Sequence, residues 1–386
     1  MKKTYLAAAL LALAAAAQAQ PQKRTAFEPG KTWPDNKGTH LNAHGGGVLY
    51  DQGRYYLFGE HKIAGGKGNS AQVGVHCYSS TDLYNWTDEG IALTVAPAGS
   101  GSEIEQGSII ERPKVVFNQK TGKYVMWFHL ELKGKGYEAA RTAVAVSDRA
   151  TGPYAYVKSY RPGVGQWPLG FQEAWKKPVP GEKDLKWWTP DWTKAVAEGL
   201  FIRRDFAPGQ MARDMTVFVD DDGTAYNIHS SEDNLTLHVA ELTPDYQGFT
   251  GRWNTIAPAG HNEAPALCKR NGKYYLITSG CTGWEPNAAR SFVASSIWGP
   301  WTALENPATG PQANITYNSQ STYILPVAGR QDAFIFLADR WTPKNPIDGG
   351  YIWLPLSFEG DQPRLQWADR WDLGVFDAAK AKAAAN

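Results

Sequence analysis

Five polar residues stand at a matched offset ahead of five turn glycines. Counting back about nine to eleven positions leads from Gly53 to His44, Gly122 to Glu111, Gly223 to Asp214, Gly272 to Glu263, and Gly329 to Gln320. Each adjoins an apolar stretch, where a charged group needs solvent or a function to offset its desolvation. Any one of the carboxylates alone reads better as a member of a surface ion pair. Jointly, at one spacing in separate repeats, they bring three carboxylates and two further polar groups to one pocket. That set suits acid–base cleavage of a glycosidic bond. One protonated carboxyl delivers its proton to the leaving oxygen, and a group on the opposite face handles a water. A third carboxylate keeps the acid's pKa high by like-charge repulsion. The 16 Trp, 18 Tyr and 14 Phe of this 386-residue chain offer faces that suit apolar cores and sugar C–H faces alike.

The elements that must carry these residues are hairpins. Apolar strands flank turn residues at 51–58, 121–127, 222–226, 271–276 and 329–336. A turn Gly or Asn-Gly between such strands is a strong hairpin signal. A further small-polar strand follows each hairpin, at 77–80, 144–147, 238–241, 292–295 and 353–356. Three of these run into a closing motif: Tyr84-Asn85-Trp86, Thr151-Gly152-Pro153-Tyr154 and Trp298-Gly299-Pro300-Trp301. Repeated four-stranded units predict an all-β, five-bladed β-propeller spanning residues 20–386 after a leader. A Trp-rich insertion at about 156–205 separates the second and third blade hairpins. It carries Trp167, Trp175, Trp187, Trp188 and Trp192, and residues 190–198 suit a short helix. These indoles read either as a sugar-stacking lid or as the insertion's own small core.

Composition excludes several classes. A net charge of +1, with 20% charged residues, leaves no electrostatic footprint for nucleic acid. Residues 1–19 read as a signal peptide: Met1-Lys2-Lys3, a short apolar run, then Ala17-Gln18-Ala19. The run is shorter than the ~20 apolar residues of a membrane span. Export to the periplasm or medium, without a membrane anchor, is the expectation. Of three cysteines, Cys77, Cys268 and Cys281, at least one must stay free, and a two-residue turn at Asn271-Gly272 sets Cys268 opposite Tyr275. Asp220-Asp221-Asp222-Gly223 begins like a calcium loop but lacks the Glu at loop position 12, so it reads as a hairpin turn. Structural calcium thus has no clear motif, no metal site is assigned, and acid–base chemistry requires no cofactor. Nothing in the sequence sets an oligomeric state.

Seven segments, in order, resemble glycoside hydrolase family 43, most of all its exo-β-1,3-galactanase branch. They are Asn42-Ala43-His44-Gly45-Gly46-Gly47, Glu111-Arg112-Pro113-Lys114, Arg213-Asp214-Met215, Glu263-Ala264-Pro265, Ser279-Gly280-Cys281-Thr282-Gly283-Trp284, Tyr317-Asn318-Ser319-Gln320-Ser321 and Asp339-Arg340-Trp341. The resemblance implies a five-bladed propeller, inversion, a general acid at Glu263 and a pKa-tuning carboxylate at Asp214. Most of the wider family carries an aspartate base on the first blade, where this chain has Asn42-Ala43-His44-Gly45. In the galactanase branch that role is linked to the position of Gln320. Gln320 and Glu111 are therefore the candidates for handling water. His44, Glu60, Tyr137, Asn318, Trp284 and Trp341 are candidate sugar contacts. The implied substrate is a poly- or oligosaccharide, namely the β-1,3-galactan of arabinogalactan-type polysaccharide. Arabinofuranosides or galactofuranosides on the same fold, and a sugar-binding propeller without catalysis, are the alternatives.

Overall fold

Alternation along one strand shows how the blades pack. In the strand Lys123–Glu131, Val125 and Trp127 join one core cluster while Met126 and Phe128 join another. Successive side chains point to opposite faces, so the run Tyr124–Phe128 is unbroken apolar because the sheet is buried on both sides. The computed structural model describes residues 23–377, so the expected leader lies outside the described residues.

The described residues form five antiparallel sheets. Blade I runs through His44–Asp51, Arg54–His61, Gly74–Ser80 and Thr87–Thr94. Blade II comprises Ile109–Asn118, Lys123–Glu131, Arg141–Ser147 and Ala155–Tyr160. Blade III comprises Met215–Val219, Ala225–Ser231, Thr236–Leu242 and Phe249–Ile256. Blade IV comprises Asn262–Arg270, Lys273–Gly280, Arg290–Ala294 and Thr302–Leu304. Blade V comprises Gln320–Pro326, Phe334–Arg340, Gly350–Glu359 and Gln362–Gln366, with Ala308–Thr309 added in parallel at its outer edge. The first strands of neighbouring blades lie side by side, with blade V against blade I, so the ring closes. An apolar cluster fills each gap between neighbouring blades. The seam between blades V and I is sealed by Phe27, Trp33 and Leu41 from the segment before blade I. Phe27 and Trp371 exchange backbone hydrogen bonds of 2.8 and 3.1 Å there.

The predicted turns are present. Asn271 and Gly272 both have positive φ, 51° and 74°, as the tight hairpin turn that matches strand twist requires. Cys268 pairs with Tyr275 across that hairpin, and all three cysteines are free thiols. Asp220, in the acidic turn, engages Lys269 and accepts from the Tyr274 hydroxyl of the next blade.

The insertion is divided in its roles. Thr189 caps the helix Pro190–Ala197 by accepting from Trp192 N, and Pro190 fits the first turn, where no N–H is missed. Trp192 is buried with Val196, Phe201 and Leu235. Trp167 stacks on Phe171 and Phe206. Trp187 and Trp188 stay half exposed.

Candidate active site

The first strands of blades I, II and IV share an irregularity near their starts. Register shifts follow His44, Glu111 and Glu263, and the next residues, Gly45, Arg112 and Ala264, all have positive φ of 52–65°. Such bulges re-aim side chains. In blades II and IV they turn Glu111 and Glu263 into a cavity of about 420 Å³ at the mouth of the ring. Asp214, just ahead of the first strand of blade III, and Gln320, at the start of blade V, line the same cavity. Glu60, Tyr137, Trp284 and Trp341 line it too.

Charge distributes unevenly among the four acids of this cavity. Glu60 lies 2.5 Å from Lys62 Nζ, Glu111 3.0 Å from His129 Nδ1, and Asp214 3.0 Å from Arg112. Glu263 is met instead by neutral donors: Asn234 Nδ2 at 2.8 Å and Gln320 Nε2 at 3.3 Å. Burial, then the neighbouring Asp214 charge, lifts the Glu263 carboxyl to about 7, with Arg112 pulling the other way. Glu111 goes in the opposite direction. Despite its burial, hydrogen bonding and charge from His129, helped by Lys62 and the Tyr137 hydroxyl, bring it to about 2. Burial works against the His129 charge, but Glu111 and Glu131 on its two nitrogens raise it to about 9. The cavity therefore sets one carboxyl raised toward neutrality, met by neutral donors, beside three that pair with basic side chains.

Gln320 has its amide orientation fixed by its partners. Arg112 Nη2 donates to Oε1 at 2.6 Å and Trp341 Nε1 at 3.0 Å, and neither can accept. Nε2 then donates to Ser279 Oγ at 3.0 Å as well as to Glu263. The Tyr137 hydroxyl donates to Glu111 at 2.7 Å. Trp284, 45% exposed, meets Trp341 edge-on at 5.7 Å and forms an aromatic wall.

Two expected sugar contacts lie elsewhere. His44 is fully buried and stacks on Tyr351 at 4.8 Å, outside the cavity lining. Burial drives its imidazole down to about 3, so it stays neutral. The cause is local. A Cβ at Gly45 would lie 2.0 Å from Glu60 Oε1, so the carboxylate of the second strand occupies the space at the mouth of blade I. Asn318, exposed with φ 57°, lines a small adjoining cleft beneath Trp284 and Trp341 instead.

Asn69, Arg112, His129, Arg213 and Asn234 also line the cavity, though sequence reasoning assigned none of them a site role, and Arg112 and Arg213 stand there only within the resembling segments. For two of them a signal existed: Arg112 and His129 are charged or titratable residues inside apolar strands. Asn234 had none. It ends a turn in which Glu232, Asp233 and Asn234 all take positive φ, 53–67°, anchored by buried Glu232 on His238 and Thr236.

The structure is similar to that of a family-43 β-1,3-galactosidase solved with galactodeoxynojirimycin, at 53% identity and TM-score 0.87, covering 90% of this chain and all of that one. The chain belongs to glycoside hydrolase family 43. The sequence profile of Glycosyl hydrolases family 43 matches residues 190–346. An exo-β-1,3-galactanase of Phanerochaete chrysosporium, solved with β-1,3-galactotriose, is 32% identical at TM-score 0.72, over 91% of this chain and 69% of that one. A β-D-galactofuranosidase of Aspergillus niger is 31% identical over 129 residues, 30% of this chain and 37% of the relative. The chain thus spans little more than a third of that curated relative.

As a family-43 enzyme the chain is a glycoside hydrolase, and its cavity has the parts for acid-assisted cleavage. Glu111, His129 and Asp214 each offer a ligand atom within 4.8 Å of one another. A cation there would compete with His129 for Glu111 and with Arg112 for Asp214.

Proposed function

We propose that this glycoside hydrolase is an exported, exo-acting enzyme that releases galactose from β-1,3-galactan with inversion. The observation that carries the substrate is the 53% identity, over 90% of this chain, to a β-1,3-galactosidase solved with galactodeoxynojirimycin. The leader-like residues 1–19 support export.

In the proposed mechanism Glu263 protonates the glycosidic oxygen. Its lack of a cationic partner supports this role, because a buried carboxyl near 7 keeps its proton in about half of the molecules at neutral pH, where an ordinary carboxyl keeps almost none. Asp214 keeps that proton in place by its charge, while Arg112, 3.0 Å away, holds the Asp214 carboxylate in position. Gln320 holds the attacking water, and Arg112 and Trp341 fix the amide that does so. As the water oxygen bonds to the anomeric carbon the bond to the glycosidic oxygen breaks, and the proton shed by the water passes to the solvent of the open cavity. Substrate entry replaces the 3.3 Å contact between Gln320 and Glu263, opening the gap in which the glycosidic bond and the water lie. Glu111, held ionised by His129, binds hydroxyls of the terminal sugar together with Glu60 and Tyr137. Trp284 and Trp341 stack on sugar C–H faces. No cofactor takes part in these steps.

The test is a panel of β-1,3-galactan, β-1,3-galactobiose, an aryl β-galactopyranoside, an aryl galactofuranoside and an aryl arabinofuranoside, with products identified and the first-formed anomer read by NMR. Galactose released from the β-1,3 substrates as the α anomer is expected. Cleavage confined to the galactofuranoside would favour the activity named for the Aspergillus relative, the one specific alternative.

A further inference from the structure

The insertion leaves two adjacent indoles half in water, Trp187 at 50% and Trp188 at 59% exposure. Adjacent exposed Trp residues form an apolar area that marks a contact surface. These two are held rigidly. Buried Trp192 backs both, with ring centroids 4.9 Å from Trp187 and 5.0 Å from Trp188, and Phe201 meets Trp187 at 5.8 Å. Trp188 has φ 68°, a left-handed backbone that bulky residues seldom adopt.

That pair adjoins the wall carrying the general acid. The Trp188 ring lies 5.0 Å from the ring of His261, two residues ahead of Glu263. His261 N donates to Leu235 O at 3.0 Å, next to the Asn234 that donates to Glu263. A second tie runs from Arg204 of the insertion to Asp233 at 2.6 Å, and from Asp233 to the cavity residue Arg213 at 3.6 Å. Yet neither Trp187 nor Trp188 lines the cavity itself.

We propose that Trp187 and Trp188 form a distal stacking platform for the leaving-group side of a polysaccharide chain. An acid stands beside the oxygen it protonates, so the chain beyond that oxygen leaves the cavity on the Glu263 side. Two residues of backbone span at most about 7 Å, and the His261–Trp188 ring separation adds 5.0 Å. Trp188 thus stands within reach of a chain leaving past Glu263, and because neither Trp lines the cavity, the sugars that meet it are those beyond the sugar held at the acid. Indole faces take sugar C–H faces by dispersion and loss of hydration. The two rings meet at 66°, forming a corner that fits successive sugars turned relative to one another. The occupant's identity as β-1,3-galactan rests on the function proposed above; the platform rests on the insertion.

The experiment compares wild type, Trp188→Ala, the double variant Trp187→Ala/Trp188→Ala, and Trp188→Phe. The readouts are kcat/KM on β-1,3-galactobiose and on long β-1,3-galactan, with retardation in gels containing the galactan. The double variant is expected to lose about ten-fold on the polymer, the factor given by 1.4 kcal/mol, and its retardation, while galactobiose turnover is unchanged. Trp188→Phe restores most of the loss by keeping a ring face. Equal losses on both substrates, or none on the polymer, would overturn the platform. If wild type cleaves neither substrate, the galactanase reading fails separately. The platform is then judged by retardation in a panel of other polysaccharides: retardation that the double variant abolishes keeps it, and none in wild type overturns it.

Discussion

Replacing Asp214 with Asn tests how the cavity keeps its acid protonated. The amide oxygen still accepts from Arg112 and from Ala264 N, which sit 3.0 and 3.2 Å from the native carboxylate. What disappears is the charge. Asp214 pushes the Glu263 pKa up and Arg112 pushes it down, so the variant loses the first influence and exposes the second. Both changes favour proton loss. Two like charges at the far end of the ~4–6 Å range over which neighbours shift a pKa interact, at an effective dielectric of ~20, by ~2.8 kcal/mol, about two pH units. Solvent reaching the cavity screens part of that, so about one unit is the smallest shift expected. The alkaline limb of kcat/KM, which reports the free enzyme, should move from about pH 7 to about pH 6 or below. With a one-unit shift the protonated fraction at pH 7 falls from about half to about a tenth. The variant is then about five-fold slower at pH 7, about ten-fold slower above pH 8, and near wild type below pH 5. The assay is kcat/KM on β-1,3-galactobiose from pH 4.5 to 9, with folding checked by circular dichroism. A loss of constant size at every pH, with the limb unmoved, would refute charge tuning and make Asp214 a substrate ligand instead.

Glu263→Gln should lower hydrolysis of natural glycosides by about 10²–10⁴, and should hurt aryl glycosides with good leaving groups less; near-native galactan turnover would exclude Glu263 as the acid. Gln320→Glu sets a new charge against Glu263 and should move the alkaline limb upward, opposite to Asp214→Asn; a downward move contradicts the 3.3 Å contact. Gln320→Ala should lower kcat strongly and regain part of it with azide, whereas Glu111→Gln should chiefly raise KM; azide rescue of Glu111→Gln instead would exchange the two roles. His129→Gln leaves Glu111 and Glu131 buried without their shared cation, at about 3–5 kcal/mol, measurable by urea unfolding at pH 7. The His129 pKa is raised to about 9, so its native stabilisation is complete below about pH 6.5 and fades as pH rises through about 9.

Much of the fold was legible because hairpin turns and propeller blades are local. Gly53 and Gly272 mark turns that only their own neighbours determine, and the strand patterns beside them carry through to whole blades. The offset from each turn also reached the inner-strand mouths, since a hairpin has a fixed register. Glu111, Asp214, Glu263 and Gln320 do meet at one cavity for that reason. The offset fails for side-chain direction. His44 occupies its expected backbone position, yet its ring turns inward onto Tyr351, because Gly45 gives its space to Glu60. No property of residues 42–47 alone reveals this. The partner strand must be considered as well.

That failure suggests a better rule, one that follows from pairing. The cross-strand partners of the mouth residues are Glu60 for His44, His129 for Glu111, Ser279 for Glu263 and Asp339 for Gln320. All four are polar, and all reach the cavity network. Glu60 and His129 line the cavity, Ser279 accepts from Gln320 at 3.0 Å, and Asp339 accepts from Gly45 N at 2.9 Å. Three of them stand seven residues after their turn glycine: Glu60 after Gly53, His129 after Gly122, and Ser279 after Gly272. The same count from Gly223 reaches Ser230, whose N–H donates to Asp214 O at 2.9 Å. The site thus draws polar side chains from both strands of each hairpin. In blade II the partner acts on its own mouth residue, His129 on Glu111; in blades IV and V it serves a neighbour, Ser279 accepting from Gln320 and Asp339 from Gly45 N. In blade I the second-strand residue, Glu60, lines the cavity in place of His44.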